Sequence, residues 1–294
     1  MPQEMPISGK RGRSAKTRTR LVRRRGLVLG ALLTGAVAGI SGFIAPGAVA
    51  ASTSPVPLAG GKYAGSLVLN DAGSTLKSWN ETSSYCKTSS PDYIGDGKVA
   101  TSGTSVTLTT KGEAGSCVGL ISPKTYSSVV LEADVYLPPL PSNPSVIANW
   151  TGFWLTNVAK WPEAGEFDSL EVEPVNATNA VTWHSGTTSS EFTASTSGFF
   201  ANELPIEAAN VRPGWNTVDV VYTKGFLTVY YNGKQYTKYT NSHVTGSALN
   251  VYFTMTDTPD TPAVVSQIGN TPVNSDPLPA TMAVKYLRIW SYKK

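Results

Sequence analysis

The sequence predicts an all-β fold, an antiparallel sandwich of two sheets, for most of the 294-residue chain. Runs of alternating or β-branched residues recur at the spacing of strands and turns. Asn232-Gly233 lies between two such runs, which is typical of a tight hairpin with positive φ at both turn positions. Helical periodicity is almost absent, since only Asn202–Ala209 could form a helical turn or two, and Pro205 limits it.

The first fifty residues have the features of an export signal. Nine Lys and Arg and a single acid precede an apolar run, Leu27–Ala45, and Ala48-Val49-Ala50 forms a small-x-small cleavage site. We predict that residues 1–50 are removed from a secreted bacterial protein. The alternative is a retained anchor, because about twenty apolar residues can span a bilayer. Arg24-Arg25 fits a twin-arginine signal loosely, which leaves both export routes open.

Removal of this segment reverses the net charge of the chain. The whole chain carries +4, whereas residues 51–294 contain 15 Lys and Arg and 19 Asp and Glu, a balance of −4. The basic excess therefore belongs to the signal and does not indicate a nucleic-acid partner. We expect no nucleic acid, no membrane contact after cleavage, and a monomer.

The remaining chain has the length of one all-β domain. Residues 51–61, rich in Ser, Pro and Gly, predict a short leader. Residues 62–294 suit one sandwich, since such domains commonly run to about 200–250 residues. Two Pro-rich stretches, Pro138–Pro144 and Thr258–Pro279, predict long loops that could border a groove.

Nine strands are predicted in this domain. They are Ser66–Asn70, Ser105–Thr110, Cys117–Ser122, Ser128–Leu137, Thr217–Thr223, Phe226–Tyr231, Lys234–Tyr239, Leu249–Thr256 and Ala283–Tyr292.

Cys86 and Cys117 are the only cysteines. In an exported protein the default expectation for such a pair is a disulfide bond. It would close a loop of about 30 residues and contribute about 3–4 kcal/mol by the loop-entropy model. Two free buried thiols are the weaker alternative.

A short acidic segment, Trp161–Glu173, holds five of the 20 Asp and Glu residues. Within it Glu166, Asp168 and Glu171 form the pattern E-x-D-x-x-E. Side chains at i and i+2 of a strand share a face, so Glu166 and Asp168 point the same way. Glu171, at i+5, points to the opposite face if the strand is regular.

A single β-bulge near Ser169-Leu170 would reverse that orientation. One extra residue there puts all three carboxyl groups on one face of the sheet, and bulges are frequent beside active sites. Phe167, Leu170 and Val172 would then face the core. We therefore predict a bulge at this position.

Paired carboxyl groups about 5 Å apart are the apparatus of retaining glycoside hydrolysis. The alternative is an acidic, solvent-exposed strand without chemistry. Other reactions have less support. His184 and His243 are the only histidines, and the sequence shows no carboxylate or Cys partners at zinc-ligand spacing from them. The motifs G-x-S-x-G, G-x-G-x-x-G and the P-loop are absent. We predict no cofactor.

The acidic strand and its surroundings resemble glycoside hydrolase family 16, the group of laminarinases, agarases and related glucanases and galactanases. The resemblance covers about Tyr63 to Tyr292, and only the acidic strand is specific. The matching segments are Gly152–Leu155 with Trp161–Glu171, Val181–Thr187 with its His-x-Gly element, Gly214–Lys234, and Pro279–Trp290.

This resemblance implies a β-jelly-roll with a concave cleft and a secreted, endo-acting, retaining hydrolase of a β-glucan or galactan. It further implies that Glu166 is the nucleophile and Glu171 the general acid/base, with Asp168 between them as the group that hydrogen-bonds the nucleophile. The alternative is a non-catalytic, lectin-like module of the same fold. The presence of all three acids argues against it.

Aromatic residues near the acidic strand are candidate sugar platforms, because the apolar face of a pyranose packs on an aromatic ring. We predict this role for Trp154, Trp161 and Trp183, with Trp161 favoured by its position in a Pro-Gly turn; the alternative for each is a core position. His184 could hydrogen-bond a sugar hydroxyl near Glu171, or it could be a structural histidine at a strand end. The tryptophans assigned to the core are Trp79, Trp215 and Trp290.

Two positions depart from the family pattern. Many members have an arginine that contacts substrate where this chain has Ser128–Asp134 without one, so the sugar specificity stays open. Many also have an aspartate that helps to hold a structural calcium where this chain has Lys285. An ammonium group cannot ligate a cation, so we predict no metal there.

Overall fold

Two antiparallel sheets of eight and seven strands form the domain. The eight-stranded sheet contains β1 (Ala64–Ala72), β3 (Lys98–Ser102), β4 (Ser105–Thr109), β6 (Val129–Leu137), β11 (Gly214–Thr223), β12 (Phe226–Tyr231), β13 (Lys234–Thr240) and β15 (Thr281–Tyr292). The seven-stranded sheet contains β2 (Asn80–Glu81), β5 (Cys117–Ile121), β7 (Asn149–Thr156), β8 (Glu166–Glu173), β9 (Thr178–His184), β10 (Phe200–Pro205) and β14 (Asn250–Asp257).

The strand order shows repeated crossing between the sheets. The eight-stranded sheet runs β13-β12-β11-β6-β15-β4-β3, with β1 paired to β15, and the seven-stranded sheet runs β10-β9-β8-β7-β14-β5-β2. Neighbours in space are therefore often distant in sequence, and every named strand pair is antiparallel. The predicted all-β jelly-roll sandwich is confirmed, and all nine predicted strands are present.

This computed structural model describes residues 57–81, 86, 94–139, 149–173, 178–187, 200–205, 209–257 and 279–294. All of them belong to one compact unit, Ala51–Lys294. The predicted export segment 1–50 lies outside the described residues, as do most of the leader and most of the two Pro-rich loops. Helices are short in the described part, with α1 at Gly73–Lys77 and 3₁₀ turns at Gly60–Tyr63 and Val158–Lys160. None of the described helices has the length and hydropathy needed to span a bilayer.

The core lies between the two sheets and follows from the alternation of side chains along each strand. On β6 the core positions are Val129, Leu131, Ala133, Val135 and Leu137. The face of the seven-stranded sheet that points away from this core is called the cleft face below. The corresponding face of the eight-stranded sheet is called the back face.

The predicted helical turn at Asn202–Ala209 is wrong for its first four residues, because Phe200–Pro205 forms β10 and pairs with β9. Residues 206–208 lie outside the described part of the chain. This strand lies at the edge of its sheet. An edge strand tolerates a terminal proline, since the missing N–H is not needed by a further neighbour. Pro205 therefore limits a helix but does not exclude a strand.

Tryptophan burial agrees with prediction at two of three assigned core positions. Trp79 is buried in the core between the sheets and Trp290 in a second cluster on the back face, whereas Trp215 is 41% exposed. The assignment of Trp215 to the core is wrong, because Val218 and Val220 take the core positions of β11 and the alternation then places Trp215 on the back face.

The predicted disulfide between Cys86 and Cys117 is present, with a Cα–Cα distance of 5.9 Å. Both residues are buried. Cys117 is the first residue of β5, so the bond ties the chain at residue 86 to the seven-stranded sheet.

Candidate active site

The predicted bulge lies in strand β8. Asp168 lies opposite Thr182 of β9. Glu171 lies opposite Ala180, so two residues of β8 occupy an interval that holds one residue of β9. Against β7, Ser169 is the residue left without a partner. The irregularity is therefore a β-bulge centred on Ser169, and this prediction is confirmed.

The bulge changes which side chains face the core. Phe167, Leu170 and Val172 all belong to the buried core, at 0%, 0% and 6% exposure. Their neighbours at alternating positions point the other way, so Glu166 and Glu171 both lie on the cleft face. A regular strand would have buried Glu171 and exposed Leu170.

Glu166 is the acid with the clearest electrostatic perturbation. Burial on the cleft face raises its pKa well above the usual value, and the negative charge of Asp168 raises it further. A hydrogen bond from the Trp161 side chain opposes both effects. Trp161 is 38% exposed, so its ring remains accessible while its N–H contacts the carboxyl group.

Asp168 is held by two side chains of the neighbouring strand β9. The Thr182 hydroxyl donates to Asp168 Oδ2. His184 Nε2 lies 3.4 Å from the same oxygen. His184 is thus on the cleft face as predicted, but it contacts Asp168 and pairs in register with Glu166, at the opposite end of the acidic row from Glu171. Thr182 was not anticipated from the sequence, because an isolated threonine on a strand carries no distinguishing signal.

An aromatic pair continues the cleft face beside the acids. The rings of Trp154 and Tyr252 are stacked, with centroids 4.4 Å apart and an interplanar angle of 20°. The Trp154 indole N–H donates to Thr254 Oγ1 at 3.0 Å. Burial, together with the negative charge of Glu166, raises the pKa of Tyr252 to about 12, so its phenol stays protonated. Trp154 therefore lies on the predicted face, and Tyr252 is an additional residue there.

The prediction that Trp183 binds substrate is wrong. Trp183 is fully buried and packs in the core against Phe167 and Tyr222, with ring centroids 6.5 and 5.9 Å away. On β9, Thr182 and His184 face the cleft, so the residue between them faces the core.

Gly165 leaves the space that the Trp183 ring needs. A Cβ at Gly165 would lie 2.3 Å from the Trp183 ring, and the glycine φ of +87° also disfavours any other residue. The turn before β8 and the buried indole are therefore matched to each other.

Three of the site residues could offer ligands to a metal ion. One atom each of Glu166, Asp168 and His184 lies within 4.8 Å of the others. These groups also have protein partners, since Asp168 accepts from Thr182 and Glu166 from Trp161. The expectation of an active site without a metal stays a prediction. At the position expected from the family to hold calcium, Lys285 Nζ lies 3.7 Å from Asp134 Oδ2.

The fold and this face define a class of protein. A two-sheet jelly roll that presents a row of carboxyl groups beside exposed and stacked aromatic rings is typical of carbohydrate-active domains. Residues 82–210 match the family model described as "XgeA-like, catalytic GH16 domain". The resemblance of the chain to glycoside hydrolase family 16 is thus confirmed, and it supports a glycoside hydrolase.

Solved structures show the same fold at low sequence identity. LamAcat from Zobellia galactanivorans is 12% identical, with a TM-score of 0.54 over 76% of this chain and 97% of that chain. An endo-β-1,3-glucanase from Pyrococcus furiosus is 16% identical, with a TM-score of 0.56 over 78% and 95%. A Bacteroides ovatus mixed-linkage-glucan GH16 protein in complex with a G4G4G3G product is 14% identical, with a TM-score of 0.55 over 75% and 99%. No curated protein matches the sequence.

Proposed function

We propose that the protein is an exported, endo-acting glycoside hydrolase that cleaves a polysaccharide with retention of anomeric configuration. The observation that carries the proposal is the bulge at Ser169, which places Glu171 on the same face as Glu166 and Asp168. Retaining hydrolysis needs a nucleophilic carboxylate and a proton-donating carboxyl group on one surface.

The reaction uses the two glutamates in two displacement steps. In the first, the Glu166 carboxylate attacks the anomeric carbon while Glu171 donates its proton to the departing glycosidic oxygen, and a glycosyl ester forms on Glu166. In the second, Glu171 takes a proton from water, which attacks the same carbon and releases Glu166. A charged Glu166 favours the protonated form of Glu171, and loss of that charge in the ester favours the ionised form.

Asp168 orients and tunes the nucleophile. Its carboxyl group is fixed by Thr182 and His184, and its charge raises the pKa of Glu166. Attack requires the ionised form of Glu166. Activity should therefore decline as the pH falls through this raised pKa.

The cleft face also supports a sugar-polymer substrate. Trp161 has an exposed ring beside the nucleophile, and Trp154 is part of the stacked pair on the same face. We assign both to sugar contact, with His184 as a hydrogen-bonding residue at the Glu166 end. The substrate class is a β-glucan or galactan, since the solved structures with this fold include a β-1,3-glucanase and a mixed-linkage-glucan enzyme.

Export is proposed on two features. Residues 1–50 have the composition of a signal segment. The bond between Cys86 and Cys117 is of the kind that persists in oxidising compartments.

A panel of polysaccharides tests the substrate class. The protein should generate new reducing ends from at least one β-1,3-glucan, mixed-linkage glucan or agar-type galactan, with internal cleavage visible as a rapid drop in viscosity. Products analysed by NMR at early times should keep the anomeric configuration of the bond that is cleaved. Inverted products, or binding without any reducing ends, would exclude the retaining hydrolase.

Single substitutions test the two roles. Glu166→Ala should be inactive on polysaccharides and on activated aryl glycosides, because no glycosyl ester can form. Glu171→Ala should lose about 10²- to 10⁴-fold on polysaccharide, yet keep glycosylation by an activated aryl glycoside and regain turnover with azide. Glu163→Ala is the matched control, since Glu163 is an exposed acid of the same segment. If Glu166→Ala and Glu171→Ala were equally inactive in the presence of azide, the assignment of the nucleophile and the acid/base would be contradicted.

A further inference from the structure

The bulge that exposes Glu171 interrupts the regular pairing of β8 with both neighbouring strands. Ser169 has no residue opposite it on β7, and the pairing between β8 and β9 is interrupted from Asp168 to Glu171. A buried backbone group without a partner costs about as much as a lost hydrogen bond. Side chains that bond to the backbone at this point therefore help the bulge to keep one conformation.

Two buried side chains do so. The hydroxyl of Tyr231, on β12 of the opposite sheet, donates to the carbonyl oxygen of Ser169. The side-chain oxygen of Asn179, on β9, accepts from the backbone N–H of Glu171 at 3.3 Å. The two are linked, because Asn179 Nδ2 donates to the Tyr231 hydroxyl at 2.9 Å. A continuous chain of hydrogen bonds thus spans the bulge from one side to the other.

This chain of hydrogen bonds lies in the core and not in the cleft. Tyr231, Asn179 and Ser169 are each fully buried. The Ser169 hydroxyl adds a bond to the carbonyl oxygen of Phe153 on β7 at 2.6 Å, and Tyr236 donates to the carbonyl oxygen of Asn179 at 3.0 Å. Buried polar groups that are fully paired specify one arrangement, because each alternative leaves a donor or acceptor unsatisfied.

We infer that Tyr231 and Asn179 are positioning residues for Glu171. They fix the bulge from the core side and so set the height and direction of the carboxyl group that donates the proton. The inference rests on the proposed function for its catalytic consequence and on the hydrogen bonds alone for its structural part. Burial raises the pKa of Tyr231 well above its usual value, so the phenol keeps the proton that it donates to Ser169.

Tyr231→Phe is the test, because it keeps the ring in the core and removes only the hydroxyl group. We expect kcat on polysaccharide to fall by about 10- to 100-fold with little change in KM, since a shift of about 1 Å in a reacting group can cost about a hundredfold. Glycosylation by an activated aryl glycoside should be kept, and azide should accelerate its turnover, as for a partial loss of Glu171. If Tyr231 had a purely structural role, the substitution would lower the activity on all substrates alike.

Tyr222→Phe is the matched control. Tyr222 is equally buried and donates to the carbonyl oxygen of Ser247 at 3.0 Å, away from the bulge. It should be destabilised in the same way without the selective loss on polysaccharide. Equal losses in the two variants, or wild-type kinetics in Tyr231→Phe, would overturn the inference.

Hydrogen exchange at the Glu171 amide gives a readout that does not depend on turnover. It should be faster in Tyr231→Phe than in the wild type or in Tyr222→Phe, and unchanged exchange would also overturn the inference. Asn179→Ala, which removes the acceptor for this N–H, should give the larger increase. If Glu171→Ala keeps full polysaccharide activity, the proposed function fails while the exchange result still decides the positioning role.

Discussion

Glu166 lies beside the charge of Asp168 on the cleft face. Burial raises the pKa of Glu166, and the Asp168 charge adds to that effect. Neighbouring side chains stabilise the Asp168 carboxyl group, because Thr182 donates a hydrogen bond to it and His184 lies beside it. These contacts hold the Asp168 carboxyl group beside Glu166, where its charge opposes the ionisation of Glu166.

Asp168→Asn should move the acid limb of the pH profile to lower pH. The substitution removes the negative charge that raises the pKa of Glu166, so Glu166 ionises more easily. The limb should stay above that of an ordinary glutamate, because burial is the larger cause and persists. The measurement is kcat/KM on a soluble oligosaccharide from pH 3 to 8. An upward shift, or none, would show that Asp168 does not act through its charge.

The phase of alternation along a strand is the residue-level property that sequence reasoning determines least well. It was correct for β8, because the acids and the apolar residues around them can be reconciled only with a bulge. The phase was predicted wrongly for Trp183, because a shift of one residue decides whether a side chain points to the cleft or to the core. Asn179 and Tyr231 gave no signal, since their roles depend on contacts between residues 52 positions apart.

At the level of elements, the strands of both sheets are visible in the sequence where apolar residues recur. All nine predicted strands are present, and the hairpin at Asn232-Gly233 joins β12 to β13. Outside the segments that resemble the family, strands β2, β3 and β10 are not predicted. Each lies at the edge of its sheet. Edge strands bury less of their surface and so require fewer apolar residues.

The disulfide stabilises the start of β5. Cys86→Ala/Cys117→Ala should lower the free energy of unfolding by about 3–4 kcal/mol, because the bond closes a loop between residues 31 apart and removes entropy from the unfolded chain. Denaturant unfolding of the variant, compared with reduced and oxidised wild type, measures the loss. Equal stability of all three proteins would contradict the expected contribution, and two thiols alkylated under native conditions would contradict the bond.

At the scale of the whole molecule, the back face carries its own cluster of charged side chains, distinct from the acidic row on the cleft face. On the back face Asp219 pairs with Glu132 across neighbouring strands, and Arg288 Nη1 contacts Glu132 Oε1 at 3.2 Å. The backbone N–H groups of Leu58 and Ala59 donate to these two carboxyl groups. Arg288 contacts Glu132, whereas Asp219 is buried beside the Glu132 charge, which favours retention of a proton on Asp219.

Asp219 should make folding stability depend on pH. Burial, followed by the charge of Glu132, raises its pKa from 3.8 to about 7 in the folded state. The folded protein therefore binds a proton that the unfolded chain releases, and stability contributed by this group is present below about pH 4 and is lost as the pH rises to about 7. The loss is of the order of a few kcal/mol.

Asp219→Asn should remove this dependence, because the amide cannot ionise. Thermal melting of the variant and the wild type from pH 4 to 8 should show a gap in favour of the variant that widens up to about pH 7 and then stays constant. Parallel curves across that range would mean that Asp219 is ionised in the folded state.

The bulge also determines what a change in the length of β8 would do to this surface. Deleting Ser169 would restore simple alternation without exchanging sides, because Leu170 would then follow Asp168 directly and stay in the core, and Glu171 would stay on the cleft face opposite Ala180. Strand β8 therefore tolerates a change of one residue in length at this point, and a related chain one residue shorter here, with the pattern E-x-D-x-E, would present the same three carboxyl groups from a regular strand.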